Sequence, residues 1–363
     1  MSNDVADFIQ YPKVLLHDHL DGGVRPQTVI ELAAEYGYKG LPTSDVDDLS
    51  KRFHRGAKRN DVVLYLETFA HTVGVMQDRD AIERVSFECA RDLANDGVVY
   101  AEVRMAPELC TEKGLTLDEV MKAILDGFRR GSAGTDLTIY AICSAMRTAA
   151  RSLEIAELAV RWRDEGVVGF DIAGAEAGYP PTRHLEAFNH VQRENFHTTI
   201  HAGEAFGLPS IWEAVQLCGA ERLGHGVRIV DDITGEPGNE QLGRLAAFVR
   251  DRRIPLELCP TSNVNTGVCG SIAEHPIGML RRLRFRVTVN TDNRLMSNTS
   301  MSKEFAQLSE AFGWGVDDFE WLTVNAMKSA FAPFPERLRI ISGLIKPRYA
   351  LARAEQTLGA ATR

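Results

Sequence analysis

The 363-residue sequence predicts an α/β fold, a (β/α)8 TIM barrel with a helical insertion after the first strand and a C-terminal helical tail. Three observations predict it. Eight short β-rich runs alternate with amphipathic helical patterns, and the length suits one such barrel with an insertion. No GxGxxG follows the first run, which argues against an open dinucleotide-binding sheet.

The first run is KVLLH, from Lys13. The one long insertion, roughly 25–95, separates it from VVYAEVRMAP, which starts at Val98. Within the insertion, RNDVVLYLETFAHTVGVMQ has helical apolar spacing. Material inserted after the first strand of a barrel lies over the catalytic mouth, where it can act as a lid. The runs continue with LTIYAICSA from Leu137, VVGFDIAG from Val167 and HTTIHAGE from His197. They end with ERLGHG from Glu221, PLELCP from Pro255 and RVTVNTD from Arg286. Between them lie helical patterns such as TLDEVMKAILDGFRRG and RSLEIAELAVRWRDEG, the second closed by Gly166 in a helix-stopping position. The stretch after Phe334 reads as terminal helix packing, and residues 1–363 read as one domain without internal repeats.

Composition narrows the classes. An apolar fraction of 44% and a charged fraction of 25% are those of an ordinary globular protein. A net charge of −9 argues against a nucleic-acid surface, which needs a basic stripe. The six cysteines form no CxxC pair and read as reduced core thiols of a cytoplasmic protein. The opening MSNDVADFIQYPK lacks an apolar signal core, and no stretch has the apolar length of a membrane span. Oligomeric state leaves no mark in the sequence.

The chemistry-bearing residues fall at strand ends. His17 and His19 alternate on the first strand and so point the same way. Taken alone, an HxH pair is weak evidence for a metal. His201 ends the fifth strand, His225 the sixth and Asp292 the eighth, and barrel active sites are built at that rim. Four distant strand ends thus deliver metal-type ligands to one place. Imidazoles and a carboxylate without a thiolate suit zinc or a similar divalent ion. Glu204, three residues after His201, is near enough to exchange a proton with a substrate. His225 could orient or deprotonate a bound water, and the glycines around His225 and before Glu204 permit close backbone approach. His197 lies four residues before His201, about 13 Å deeper on an extended strand, and cannot share the ion.

Taken together, HDHLDGG, VVGFDIAG, HAGE, GHG and NTDN resemble the adenosine deaminase family of the metal-dependent hydrolase barrels. The resemblance runs from about Lys13 to Phe334. It implies one Zn²⁺ held by His17, His19, His201 and Asp292, and hydrolytic deamination of adenosine and 2′-deoxyadenosine in purine salvage. In that chemistry zinc-activated water adds at C6 while protonated Glu204 donates to N1, and His225 acts on the water. The resemblance also implies that the Gly174 N–H meets purine N3 and Asp21 the sugar hydroxyl, with His19 and Asn293 against the substrate. The implied partner is a small purine nucleoside, with no nucleic acid and no membrane.

Two departures stand out. The family's TDDP reads TDNR, with Asn293 for the second aspartate and Arg294 for the proline, and Ala175 replaces the acid after the AG pair. In the family that aspartate touches purine N7, an acceptor, and needs a proton to do so; an Asn amide donates at any pH. Adenine or a modified adenosine is therefore the alternative substrate, and a non-catalytic purine-binding barrel the alternative class. A binuclear amidohydrolase would want a lysine on the fourth strand, and VVGFDIAG has none. His54, His71, His184, His190 and His275 read as solvated or capping residues. Phe53, Leu66 and Phe69 read as helix core, with an apolar lid as the alternative. Cys259 and Asn263 stand near the mouth without a spacing that assigns them a role.

Overall fold

The computed structural model describes residues 4–58 and 68–361. Its barrel strands fall on the eight runs: β1 Lys13–His19, β2 Val98–Met105, β3 Thr138–Met146, β4 Val167–Ala173, β5 Thr199–Ala202, β6 Arg222–His225, β7 Leu256–Leu258 and β8 Val287–Val289. Strands β1 to β4 pair in parallel as one run and β5 to β8 as another. Two isolated parallel bridges, Phe170 with Thr198 and Asp18 with Asp292, join the runs and close the barrel.

The eighth ladder stops at Val289, short of Asp292. Asp292 instead turns into the left-handed region at φ +57°. Strand β1 holds it there from both sides: the Asp292 N–H donates to His17 O at 3.0 Å, and the His19 N–H donates to Asp292 O at 2.7 Å. The seam that closes the barrel is therefore also the place where a candidate ligand is set.

Strand β2 is buried along its whole length. Alternation puts Val99, Ala101, Val103 and Met105 on one face and Tyr100, Glu102 and Arg104 on the other. The second face looks inward, because Arg104 and Glu102 reach partners on strands across the barrel. Barrel interiors are ordinarily filled by branched aliphatics. This one holds a charged layer instead. Arg222 donates to Glu102 Oε2 at 2.6 Å, to Glu257 Oε1 at 2.7 Å and to Ser329 O at 3.0 Å. Tyr100 donates to Glu102 Oε1 at 2.7 Å, and Thr199 to Glu257 Oε1 at 2.9 Å. Buried charges persist only when paired and hydrogen-bonded, and these are.

Around the barrel, Thr116 opens the helix Leu117–Ser132 with a capping box, its Oγ1 accepting from the Glu119 N–H. The helix Ser152–Arg161 ends short of Gly166, with a 3-10 turn at Arg163–Glu165 between them. The insertion forms the helices Pro26–Tyr36, Val46–Ala57, Phe69–Val75 and Arg79–Asn95. Arg79–Asn95 packs along Leu117–Ser132 and β2, so it is an outer-ring helix of the barrel rather than material over the mouth. Phe53 is core, as expected; Leu66 lies outside the described residues. A short antiparallel ribbon, Ile233–Thr234 with Gln241–Leu242, follows β6 without a sequence signal for it. The tail forms Phe334–Ile340, a π-turn at Ile341–Ile345 and the helix Lys346–Ala361. Its buried Tyr349 donates to Pro12 O at 3.1 Å, which ties the tail to the start of β1. No described helix is long and apolar enough to cross a membrane.

Arg222→Leu should leave Glu102 without its cation and Glu257 with one fewer. The expected cost is about 3–5 kcal/mol, read as a lowered midpoint in guanidinium unfolding; an unchanged midpoint would show that the inner charge layer does not carry stability.

Candidate active site

The C-terminal ends of the strands surround a cavity of about 340 Å³. His19, Asp21, Gly174, His201, Glu204, His225, Asp292 and Asn293 all line it, with Phe69, Val73, Leu109 and Met146 as an apolar wall. Phe69 is half-buried against the core, as first expected, and also faces the cavity, the alternative reading. His17 is fully buried behind the lining residues, its Nε2 3.3 Å from Asp292 Oδ1.

Five side chains compete for a metal-type centre. His17, His201, His225 and Asp292 present donor atoms that all lie within 4.8 Å of one another. His19 Nε2 is as close, 3.3 Å from His201 Nε2 and 3.4 Å from Asp292 Oδ1. What each imidazole meets at its other nitrogen sorts them. His17 Nδ1 lies 3.0 Å from Glu257 Oε2, and His201 Nδ1 lies 2.9 Å from Asp171 Oδ2. An ionised carboxylate can only accept, so it takes the Nδ1–H and leaves the Nε2 lone pair facing the cluster. His225 differs: its Nδ1 lies 3.1 Å from the Asn263 amide nitrogen.

The carboxylates are themselves held by Arg104, which donates to Glu257 Oε2 at 2.8 Å, to Asp171 Oδ2 at 3.1 Å and to Leu16 O at 2.7 Å. Burial works to raise both acids, but Arg104 and Arg222 hold Glu257 well below the usual carboxylate range. His201 and Arg104 do the same for Asp171. Burial, then the Arg104 charge, pushes His17 down to about 4, so it stands neutral. Ser262 Oγ donates to Asp292 Oδ2 at 2.6 Å and leaves Oδ1 toward the histidines. Burial raises Asp292 as well, but the imidazoles gathered around it keep it well below the usual range. His17, neutral and with a buried Nε2 that has no hydrogen-bond partner, and the ionised Asp292 carboxylate suit a divalent cation, while at His201 burial lowers the imidazole but Asp171 raises it above the ordinary histidine value.

Backbone strain marks the same rim. His225 and Asp292 adopt left-handed φ values of +60° and +57°, uncommon for non-glycine residues and characteristic of functional sites. Gly224 must be small, since a Cβ there would stand 3.0 Å from His201 Cα. Gly174 has φ +101°, which a side chain would strain, so its bare backbone faces the cavity.

Glu204 sits on the loop after β5 with Oε2 3.6 Å from His225 Nε2. Burial raises its carboxyl against the lowering effect of His225. The loop is held by Glu176, whose carboxylate accepts the N–H groups of Gly203 at 2.6 Å, Glu204 at 3.1 Å, Ala205 at 2.8 Å and Phe206 at 2.9 Å. Asp21 and Asn293 each carry a buried Oδ1 without a hydrogen-bond partner in the described structure, and burial pushes Asp21 up to about 7. Arg294 turns away from the cavity, donating to Asp18 Oδ1 at 3.0 Å and to Cys89 Sγ at 3.1 Å.

Sequence reasoning missed Arg104, Asp171, Glu176 and Glu257. For Arg104, Asp171 and Glu257 the available signal was a charge inside an otherwise apolar strand; Glu176 sits on the loop after β4, where no such signal exists. Of the remaining histidines, expected to be solvated or capping, two are buried instead of solvated. His184 and His275 are buried, while His54, His71 and His190 are half-buried, because their helices and loops pack onto the barrel. His184 Nε2 meets Arg147 O at 3.2 Å. His275 does cap, its Nδ1 accepting the Ile277 N–H at 3.0 Å, but it is not solvated. His197 pairs with Glu221 at 2.9 Å, away from the cavity as expected. Cys259 is buried and off the cavity wall, its Sγ against Glu257 O.

Fold and site together define a metal-dependent hydrolase barrel. A family model described as adenosine deaminase matches residues 12–347. The chain is 66% identical over 350 residues to Adenosine deaminase 1 of Streptomyces coelicolor, covering 95% of this chain and 88% of that one. Among solved structures, an amidohydrolase from Burkhoderia ambifaria with bound Zn aligns with TM-score 0.84 at 24% identity, over 99% of this chain and 96% of that one. Arabidopsis ADAL complexed with GMP aligns with TM-score 0.79 at 25% identity, over 92% and 96%. The chain belongs to the adenosine deaminase family.

Asp171→Asn should replace a pure acceptor behind His201 by a group that can present a donor. Metal affinity is then expected to fall about 10–100-fold, measured by competition with a chromophoric chelator; wild-type affinity would separate Asp171 from the centre.

Proposed function

We propose that this chain catalyses the hydrolytic deamination of adenosine and 2′-deoxyadenosine to inosine and 2′-deoxyinosine, releasing ammonia. One observation carries the reading. A carboxyl raised by burial, Glu204, shares a cavity with a His/Asp metal-type cluster in a chain 66% identical to Adenosine deaminase 1. His17, His19, His201 and Asp292 would hold one Zn²⁺. When bound, the ion would lower the pKa of water to about 7 and so supply a nucleophile at neutral pH.

The chain's own residues do the rest. Glu204, protonated, donates to purine N1 as oxygen adds at C6, which removes the ring's aromaticity where the nucleophile lands. The proton given up by the water restores Glu204. The hydroxyl proton then moves to the amino nitrogen, which leaves as ammonia, while N1–H stays in the product lactam. Gly174 N–H would meet N3, Asp21 the sugar hydroxyl, and Asn293 the N7 edge, with His19 against the substrate. Residues 1–363 would serve as one catalytic domain, with the insertion helix Phe69–Val75 at the mouth as its lid. Adenine or an N6-modified adenosine is the second reading, favoured by Asn293 at the family's aspartate position.

The deciding experiment is ammonia release from adenosine, 2′-deoxyadenosine, adenine and N6-methyladenosine, each with and without chelator. Chelator-sensitive turnover of the first two is expected. Turnover of adenine alone would overturn the substrate, and no turnover of any would overturn the reading.

Glu204→Gln should retain metal and nucleoside binding while kcat falls about 10²–10⁴-fold, by steady-state kinetics and calorimetry. Activity within a few-fold of wild type would remove Glu204 as the acid.

Asn293 is tested by a double comparison of adenosine and 7-deazaadenosine in wild type and Asn293→Leu. If the amide donates to N7, losing that partner costs about 1–3 kcal/mol. The kcat/KM penalty for 7-deaza substitution should then be large in wild type and much smaller in the mutant. Equal penalties would show that Asn293 does not read N7.

A further inference from the structure

We propose that Asn263 and His275 are positioning residues that fix His225 in the tautomer with its proton on Nε2. His225 then meets the attacking oxygen as a hydrogen-bond donor, and serves neither as a metal ligand nor as a base. The inference rests on the deaminase reading above for its reaction, but its structural half stands on hydrogen bonds alone.

The backbone N–H of Ile277 donates to His275 Nδ1 at 3.0 Å. A backbone amide is only a donor, so His275 Nδ1 carries the lone pair and its proton is on Nε2. His275 Nε2 lies 3.1 Å from Asn263 Oδ1, so it donates to the amide oxygen. That fixes which way round the Asn263 amide stands, and its Nδ2 then donates to His225 Nδ1 at 3.1 Å. His225 Nδ1 must accept. Its proton is therefore on Nε2, the atom that faces Glu204 Oε2 at 3.6 Å.

Reversing any one link sets donor against donor. If the Asn263 amide were flipped, its NH₂ would oppose the His275 Nε2–H. Relieving that clash by moving the His275 proton to Nδ1 would oppose the Ile277 N–H. All three side chains are buried, so water is not at hand to absorb the mismatch. Burial also pushes His275 down to about 3, which keeps it neutral in this role.

The consequence appears beside the other imidazoles. His17 and His201 have carboxylates at Nδ1 and so turn lone pairs toward the centre. His225 has an amide donor at Nδ1 and so turns a proton toward it. Proximity alone groups His225 with His17, His201 and Asp292; an Nε2 bearing a proton cannot coordinate. His19 then takes the fourth place, its Nε2 3.4 Å from Asp292 Oδ1.

The test reads the tautomer directly. Two-bond ¹H–¹⁵N spectra of ¹⁵N-histidine-labelled, zinc-loaded protein, with His225→Gln for assignment, should show His225 protonated on Nε2 and bare on Nδ1. Asn263→Asp replaces the donor by an acceptor and should move the proton to Nδ1. Its kcat on adenosine should fall about 10²–10³-fold with KM within a few-fold. His275→Gln keeps a donor toward Asn263 and should lose less kcat than His275→Leu, an order that a purely steric role would not produce. Wild-type His225 protonated on Nδ1 overturns the proposal, as does an Asn263→Asp enzyme with unchanged kcat. The spectra need no substrate. Wild type that shows the Nε2–H tautomer without deaminating adenosine would refute the deaminase reading and leave the relay standing.

Discussion

Arg104 is the group on which the site depends. Its guanidinium, wholly buried inside the barrel, binds Leu16 O, Asp171 and Glu257. Those two acids in turn orient His201 and His17. The planar fork can serve several acceptors in fixed directions, which a lysine could not do. Three charges are taken out of water here, and such clusters do not stabilise a fold for free. What they provide is a pair of imidazoles with one tautomer and one orientation, both decided before any ion arrives.

The rim thus carries two kinds of histidine made from one side chain. A carboxylate behind the ring produces an electron-pair donor, and an amide behind the ring produces a proton donor. The protein sets the difference one layer out from the cavity, in residues that never touch a ligand. Glu176 does the same for the acid: four backbone N–H groups converge on its carboxylate, so the loop carrying Glu204 is tied down rather than left to find its place.

How far this was legible follows from where each signal lives. Strands β1 to β8 were readable because apolar runs and helical periodicity alternate. The rim residues His17, His19, His201, His225 and Asp292 were readable because each closes such a run. Glu102, Arg104, Asp171 and Glu257 were not read, because a charge in a buried strand looks like noise until its partner on a distant strand is known. Asn263 and His275 lie twelve residues apart on a loop and helix, and only the fold brings the amide to His225 Nδ1. The left-handed turn at Asp292 was likewise invisible, since it is imposed by β1 from 274 residues away.

The bridge between Asp18 and Asp292 also has a consequence for how the protein is made. On a chain leaving the ribosome, Asp292 follows the His17 and His19 pair by more than 270 residues. Until then β1 has an open edge, and the pair on it has no carboxylate opposite. Pairing across such a sequence distance is slow to form, and an unpaired edge invites wrong neighbours meanwhile. The cluster of His17, His201, His225 and Asp292 is therefore a property of the closed barrel and not of the growing chain.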